Sequence, residues 1–337
     1  MKICIHASTR PNIIKQYWLI KECDKRWLDF YILHTGQHYS KDMSDNFFEE
    51  FGIEWPIYNL WIQEPDRIKR LSAITIKCQD LFNRDRPDVV IVQGDTDSDY
   101  GVALTAKMMW IKLVHNEAGI RSDSDIPEEY NRRMIDQMSD LLLIPTVRDL
   151  GRISEEWLMG DYILTGNTVC DCIRDHNNIF SITKVPYYLL TLHRNTNTDN
   201  KEVLENIFRQ IGWLWCRVIF PMHPRTKKMI EQFWIKIPLN VIIELPVWYA
   251  TMLMLIKQSM LVITDSGWIQ EECCVLGKTC VVLRDSTERP FIGSVLWNWD
   301  LQKSIEDLPD FVLVNEFNPL DLDNISAFIL DYLQDEF

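Results

Sequence analysis

Two carboxylates stand just beyond apolar runs of strand length. Asp95 lies in Gln93-Gly94-Asp95-Thr96-Asp97-Ser98, after Val89 to Val92, and Glu117 lies in Asn116-Glu117-Ala118-Gly119, after Ile111 to His115. Carboxylates on neighbouring strand ends are what a proton-transfer site needs. Taken singly, Asp95 and Asp97 read first as helix caps. A second cluster occupies Leu261 to Pro290. An apolar strand ends at Thr264, Asp265-Ser266-Gly267 forms a polar turn, Ile269 to Leu276 suits a helix stopped by Gly277, and Thr279 to Leu283 leads into a charged loop. Ser266 and Gly267 fall at the helix N-terminus, where free N–H groups and the helix dipole favour a phosphate. Glu271 and Glu272 either complement that dipole or hydrogen-bond ribose hydroxyls, and Arg284 and Arg289 suit bidentate contacts to an anion. His193-Arg194 and His223-Pro224-Arg225 follow two further strand ends. A lone histidine is ordinarily packed or solvated, but two beside arginines at consecutive strand ends point to a diphosphate. Arg10, in the first turn, reads as an anion or base contact or as a surface arginine. Gln37 and His38 sit in a polar aromatic cluster that suits a site or a capped loop. Glu128 and Arg132 are four residues apart on one helix face, positioned to pair.

These residues need a frame that gathers strand ends. Strands are expected at 2–6, 30–34, 89–92, 111–115, 141–144, 161–165, 188–192, 218–221, 241–243, 261–264 and 279–283, with helices between them, one opened by Pro11 and another by Pro127. Strands alternating with helices mean parallel sheets with right-handed crossovers, whose ligands bind at the carboxyl ends of the strands. No internal repeat is evident. A domain boundary is placed near Gly166 to Asp175, and Leu320 to Leu333 reads as an amphipathic helix.

The chain has 337 residues, enough for two domains, with 47% hydrophobic and 25% charged residues. A net charge of −14 lacks the basic footprint of a nucleic-acid binder. No run approaches membrane-spanning length, and Met1-Lys2 leads straight into a short apolar segment, so neither a membrane anchor nor a signal peptide is expected. The nine cysteines are odd in number and lack CxxC spacing or a histidine partner, which reads as buried reduced thiols in a cytoplasmic protein. No metal site is expected, and Ser8-Thr9-Arg10-Pro11 lacks the GxGxxG glycines of a nicotinamide site, so no cofactor is expected. Most of the thirteen tryptophans sit inside apolar periodic segments and are assigned to core or surface packing.

In order along the chain stand Ser-Thr-Arg-Pro (8–11), Thr-Gly-Gln-His (35–38), Gln-Gly-Asp-Thr-Asp-Ser (93–98), Glu-Ala-Gly-Ile-Arg-Ser (117–122), Pro-Glu-Glu-Tyr-Asn-Arg (127–132), Thr-Gly-Asn-Thr (165–168), Thr-Leu-His-Arg (191–194), His-Pro (223–224), Thr-Asp-Ser-Gly (264–267) and Arg-Asp-Ser-Thr-Glu-Arg-Pro (284–290). The chain thereby resembles the non-hydrolysing UDP-N-acetylglucosamine 2-epimerases over residues 1 to 290. The resemblance implies an α/β chain of GT-B architecture, two Rossmann-like domains with parallel sheets facing a central cleft: 1–168 joined by a C-terminal helix at 320–337, and a UDP-binding domain at 169–319. It implies inversion of carbon 2 of a UDP-N-acetylhexosamine by elimination and re-addition of UDP through a glycal. Asp95, Glu117 and Glu128 match the acid/base carboxylates and His193 the catalytic histidine. Arg10, His223, Ser266, Gly267, Glu272 and Arg289 match UDP contacts, Lys15 a site-lining lysine, and Gln37 and His38 regulatory positions; Arg132 and Arg194 are assigned to substrate binding with them. A homodimer is implied. Three departures bear on the sugar: Asn12 replaces the family's glutamate, the 121–127 segment is short, and Asn195-Thr196 replaces acidic residues. A GT-B glycosyltransferase, a hydrolysing epimerase and a non-catalytic UDP-sugar sensor stay open as alternatives.

Overall fold

The computed structural model describes residues 1–36, 51–53, 57–122, 125–176, 185–287, 294–297, 300–308 and 314–336. The chain forms two compact units, one of Met1–Cys172 with Phe317–Phe337 and one of Ile173–Glu316. The first carries strands β1 (Lys2–His6), β2 (Asp29–His34), β3 (Ile57–Asn59), β4 (Val89–Gln93), β5 (Lys112–Asn116), β6 (Leu141–Ile144) and β7 (Asp161–Leu164). Its described helices are α1 (Arg10–Lys25), α2 (Arg67–Arg84), α3 (Asp97–Met108), α4 (Pro127–Met138), α5 (Val147–Ser154) and α6 (Val169–Asp175), the last crossing into the second unit. The second carries β8 (Tyr187–Thr191), β9 (Arg217–Pro221), β10 (Val241–Glu244), β11 (Leu261–Thr264), β12 (Cys280–Val282) and β13 (Ser294–Leu296), with α7 (Asn195–Thr198), α8 (Lys201–Ile211), α9 (Pro224–Phe233), α10 (Tyr249–Gln258), α11 (Gly267–Val275) and α12 (Leu301–Glu306). Helix α13 (Ile325–Glu336) returns to the first unit.

All strand pairings are parallel. The first sheet runs β3-β2-β1-β4-β5-β6-β7 and the second β10-β9-β8-β11-β12-β13. The two orders are the same through six strands, a repeat of topology with no matching repeat of sequence. Each order reverses once, between β1 and β4 and between β8 and β11, and α/β sheets bind ligands outside the strand ends at that point. The central strands are buried on both faces: β4 and β8 show no exposed residue. That explains their continuous apolar runs. The short edge strands β3 and β13 lack such runs and carry no strand signal in the sequence. Pro11 lies one position deeper in α1 than expected, because Thr9 is the N-cap and Arg10 the first helical residue.

Helix α13 begins five residues later than expected. Its N-terminus rests on the buried carboxylate of Asp171, which accepts from the backbone N–H groups of Ile325 (3.0 Å) and Ser326 (2.8 Å) and from Ser326 Oγ (2.7 Å). Arg26 pairs with Asp331 at 2.6 Å, and α13 packs against α1. All nine cysteines are buried free thiols, and burial pushes those of Cys23 and Cys78 up to about 12.

The tryptophans depart from expectation. Trp27, Trp110, Trp157 and Trp234 are 93%, 91%, 96% and 90% exposed. Trp27, Trp110 and Trp234 also take φ values of 55°, 58° and 56°, at or just after the ends of α1, α3 and α9. Left-handed backbone costs an L-residue about 1–2 kcal/mol, which is why glycine usually ends a helix this way. An exposed indole recovers little of that cost. Trp27→Gly, Trp110→Gly and Trp234→Gly are each expected to stabilise the fold by about 1 kcal/mol; urea unfolding midpoints that stay put or fall would contradict this.

Candidate active site

The first switch point gathers the residues after β1, β4 and β5. Strands β4 and β5 pair so that Gln93 lies opposite Asn116, and Asp95 and Glu117 therefore leave adjacent strand ends. Glu117 is 7% exposed and takes φ 67°. For a non-glycine residue this is strained backbone, a feature that collects at functional sites. Lys15 Nζ and Gln93 Nε2 donate to its two carboxylate oxygens, and Asn167 Nδ2 donates at 3.2 Å. Lys15 reaches this position from α1 and is itself 2% exposed. A buried ammonium and a buried carboxylate each need the other.

Asp95 follows Gly94, whose φ of 86° turns the chain out of β4. Its carboxylate pairs with Arg132 of α4, and its backbone carbonyl accepts from Asn131 Nδ2 at 2.9 Å. Arg132 pairs with Asp95 and with Glu129 at 3.2 Å, not with Glu128 as expected. Glu129 is buried and Glu128 is exposed, so Glu129 is the carboxylate that faces inward. Asp97 opens α3 and joins Arg67 at 2.9 Å and Arg70 at 2.8 Å. Burial raises its carboxyl, but Arg70, Asn131 and Arg67 outweigh that and hold it below the usual range.

Behind Glu117 lies a buried charge network. Asp136 of α4 accepts from His115 Nδ1 (2.6 Å), Arg121 Nη1 (2.7 Å) and the Gly119 N–H (3.3 Å). His115 Nε2 donates to the Gly94 carbonyl at 2.8 Å, and Arg121 grips Glu156 with two bonds of 2.7 Å. One carboxylate thus ties the turn after β4 to the turn after β5. Burial lowers the His115 pKa, but the charge and hydrogen bond of Asp136 prevail and raise it overall; burial raises Asp136, and His115 and Arg121 together bring it down. A second relay, Ser8 Oγ to His6 Nε2 at 2.6 Å and His6 Nδ1 to Asp99 at 2.7 Å, has the partners of an activated serine. All three residues are 0% exposed, and Ser8 Oγ also accepts from the Thr35 N–H, so this relay braces β1, β2 and α3.

In the second unit, Ser266 is the N-cap of α11, its Oγ accepting from the Ile269 N–H at 3.4 Å, and Gly267 is the first helical residue rather than part of the turn. Asp265, 0% exposed, accepts from the backbone N–H groups of His193 (3.0 Å) and Arg194 (2.8 Å) and from Asn197 Nδ2 (3.2 Å). It binds the turn after β8 to the turn after β11. His193 Nδ1 lies 3.3 Å from Asp265, and its ring centroid is 5.5 Å from that of His223, the N-cap of α9. Glu271 and Glu272 are buried, while Arg194 and Arg284 are partly exposed. Arg225 is engaged with Asp199.

The structure therefore brings together Lys15, Asp95, Glu117 and Arg132 in one unit, and His193, Arg194, His223, Ser266 and Gly267 in the other. Glu128 is exposed on α4. Arg10 opens α1, and only its backbone is described. Gln37, His38 and Arg289 lie outside the described residues. Gln93, Asn167, Asp136 and Asp265 received no role from the sequence, although three of them stand within the quoted motifs. Among the described residues, no group of three or more His, Cys, Asp or Glu is arranged to hold a metal, and no helix is long and apolar enough to cross a membrane.

Two parallel sheets of one strand order, each with polar groups at its switch point, place the chain in the class of paired Rossmann-like proteins. Residues 21–296 match the family model described as UDP-N-acetylglucosamine 2-epimerase. The UDP-N-acetylglucosamine 2-epimerase of Methanocaldococcus jannaschii is 38% identical over 312 residues, covering 86% of this chain and 85% of that protein. A UDP-2,3-diacetamido-2,3-dideoxy-D-glucuronate 2-epimerase of Pseudomonas aeruginosa is 34% identical over 302 residues, 86% of this chain and 84% of that protein. The crystal structure of the M. jannaschii enzyme in complex with UDP-GlcNAc and UDP superposes with a TM-score of 0.87 at 34% identity, over 99% of this chain and 100% of that one. The chain belongs to the UDP-N-acetylglucosamine 2-epimerase family.

The His115–Asp136 pair carries a pH signature. A raised histidine stabilises the fold fully below its unfolded pKa of about 6.5, and that contribution fades as pH rises through the higher folded value. The stability gap between the native protein and His115→Gln should be larger at pH 6 than at pH 9 in urea unfolding. Equal gaps would show that the fold does not raise the His115 pKa.

Proposed function

We propose that the protein is a non-hydrolysing epimerase that inverts carbon 2 of a UDP-N-acetylhexosamine, interconverting the N-acetylglucosamine and N-acetylmannosamine forms or a close deoxy-sugar pair. UDP is eliminated across carbons 1 and 2 to leave a glycal and is then added back. The observation that carries this reading is Glu117: a buried carboxylate on strained backbone, gripped by Lys15, Gln93 and Asn167, with Asp95 at the adjoining strand end.

Inversion without redox chemistry breaks the carbon 2 C–H bond and delivers a proton to the opposite face. One carboxylate cannot readily serve both faces, so Glu117 and Asp95 take the two roles, with Glu128 as a third candidate. Arg132 pairs with the Asp95 carboxylate and fixes its position. In the second unit the α11 N-terminus at Ser266 and Gly267, with His193, Arg194 and His223, takes the diphosphate, and Glu272 the ribose. Arg10 and Arg289 add diphosphate contacts by motif. Gln37 and His38 are assigned to regulation on the same basis. The enzyme works as a homodimer, as the family resemblance implies, and in the cytoplasm, a reading supported by nine buried free thiols, which suit a reducing compartment.

A proton held on a carboxylate exchanges with water, so product formed in deuterated water should carry deuterium at carbon 2. Asp95→Asn and Glu117→Gln should each slow turnover on the order of a hundredfold or more, with UDP affinity retained. Glu272→Ala should weaken UDP binding roughly tenfold to a hundredfold by calorimetry. Deuterium-free product made at the native rate by both amide variants would refute the carboxylate roles.

A further inference from the structure

The donor that Gln93 presents to Glu117 is decided on another element, at the start of α1. Asn12 Oδ1 accepts from the Thr9 backbone N–H at 3.0 Å, and Asn12 Nδ2 donates to the Gln93 backbone carbonyl at 2.6 Å. A backbone N–H can only donate and a carbonyl can only accept, so these two contacts leave the Asn12 amide one orientation. Asn12 Nδ2 also donates to Gln93 Oε1 at 2.7 Å, which turns Gln93 Nε2 toward Glu117. We propose that Asn12 is a positioning residue that sets the protonation state of Glu117: the relay Thr9–Asn12–Gln93 presents an N–H to its carboxylate and so keeps it a base. Asn12 and Gln93 are 3% and 2% exposed, so the relay is shielded from bulk solvent.

In Asn12→Asp the oxygen that replaces Nδ2 cannot donate to Gln93. The Gln93 amide then flips, donating to the introduced carboxylate and turning Oε1 toward Glu117, and two facing oxygens require a proton on Glu117. The other groups around Glu117 stay as they are: Lys15 and Asn167 at its oxygens, Asp95 with Arg132, Asp136 with His115 and Arg121, and His6 with Asp99.

The inference rests on Glu117 acting as the base, so the test has two readouts. The first is the pH profile of deuterium incorporation at carbon 2. Asn12→Asp should move its acidic limb up by about one unit, a loss approaching tenfold at the foot of that limb with little loss on the plateau above it, and leave UDP affinity unchanged. The second is carbon-13 NMR titration of the Glu117 carboxyl, assigned by its disappearance in Glu117→Gln, which needs no turnover. It should move up in Asn12→Asp, and by less in Asn12→Ala, which frees Gln93 without facing it with an acceptor. A titration unmoved in both variants would overturn the relay. Native protein that incorporates no deuterium, yet shows the shifted titration, would overturn the epimerase reading and leave the relay standing.

A different observation carries a second inference. Among the described residues, four of the six non-glycine residues with positive φ are tryptophans: 27, 61, 110 and 234. Trp61 is 56% exposed, and the other three are nine-tenths exposed. The chain has 12 glycines, about half the ~7% typical of proteins, and 13 tryptophans. Left-handed, solvent-facing positions suit glycine, and three of these four, Trp27, Trp110 and Trp234, stand at helix ends where the indole has little to pack on, while Trp61 follows the strand Ile57–Asn59. We infer that the codon written as tryptophan at these four positions is read as glycine in the cell that makes this protein. Peptide mass spectrometry on protein purified from that cell should find glycine at 27, 61, 110 and 234; tryptophan there would overturn the inference.

Discussion

A carboxylate buried on left-handed backbone is costly twice over, in desolvation and in strain, and Glu117 incurs both. The surrounding structure follows from that constraint. Lys15 must come from α1, Gln93 from β4 and Asn167 from the turn after β7, so three segments far apart in sequence converge on one side chain. The turn bearing Glu117 is braced from behind by Asp136, which bonds Gly119 directly and reaches Gly94 through His115. A helix, two adjoining strands and their turns are thereby locked in one arrangement.

The second unit meets an analogous demand with fewer charges. Asp265 is sealed from solvent and spends its oxygens on the backbone of His193 and Arg194 and on the Asn197 amide. The turns after β8 and β11 are joined beside the open N-terminus of α11. In both units a buried carboxylate at the switch point orders the backbone around a more accessible functional group. The shared strand order explains why the same device serves twice.

Much of this was legible beforehand. Buried parallel strands read as unbroken apolar runs, so the central strands were placed within a residue or two, and the polar residues just beyond them marked the strand ends. The edge strands β3 and β13 were not legible, because a half-exposed strand of three residues carries no such run. The expected Glu128–Arg132 pair obeyed helix spacing, but spacing does not say which of two adjacent glutamates faces inward. Arg132 turned to Asp95 and Glu129 because those carboxylates lie on its side of α4.

The sequence by itself determined the fold class, the family and the identity of the strand-end carboxylates, since periodicity and motif order are local properties that survive without coordinates. Only the tertiary structure decided what those groups do to one another. Asn12 stood in the sequence as a departure from a family pattern; in the fold its amide bridges the Thr9 N–H and the carbonyl of Gln93, 81 residues further along the chain, and dictates which end of Gln93 meets Glu117. Hydrogen-bond direction depends on what lies opposite each atom, and what lies opposite is set by how distant strands come side by side.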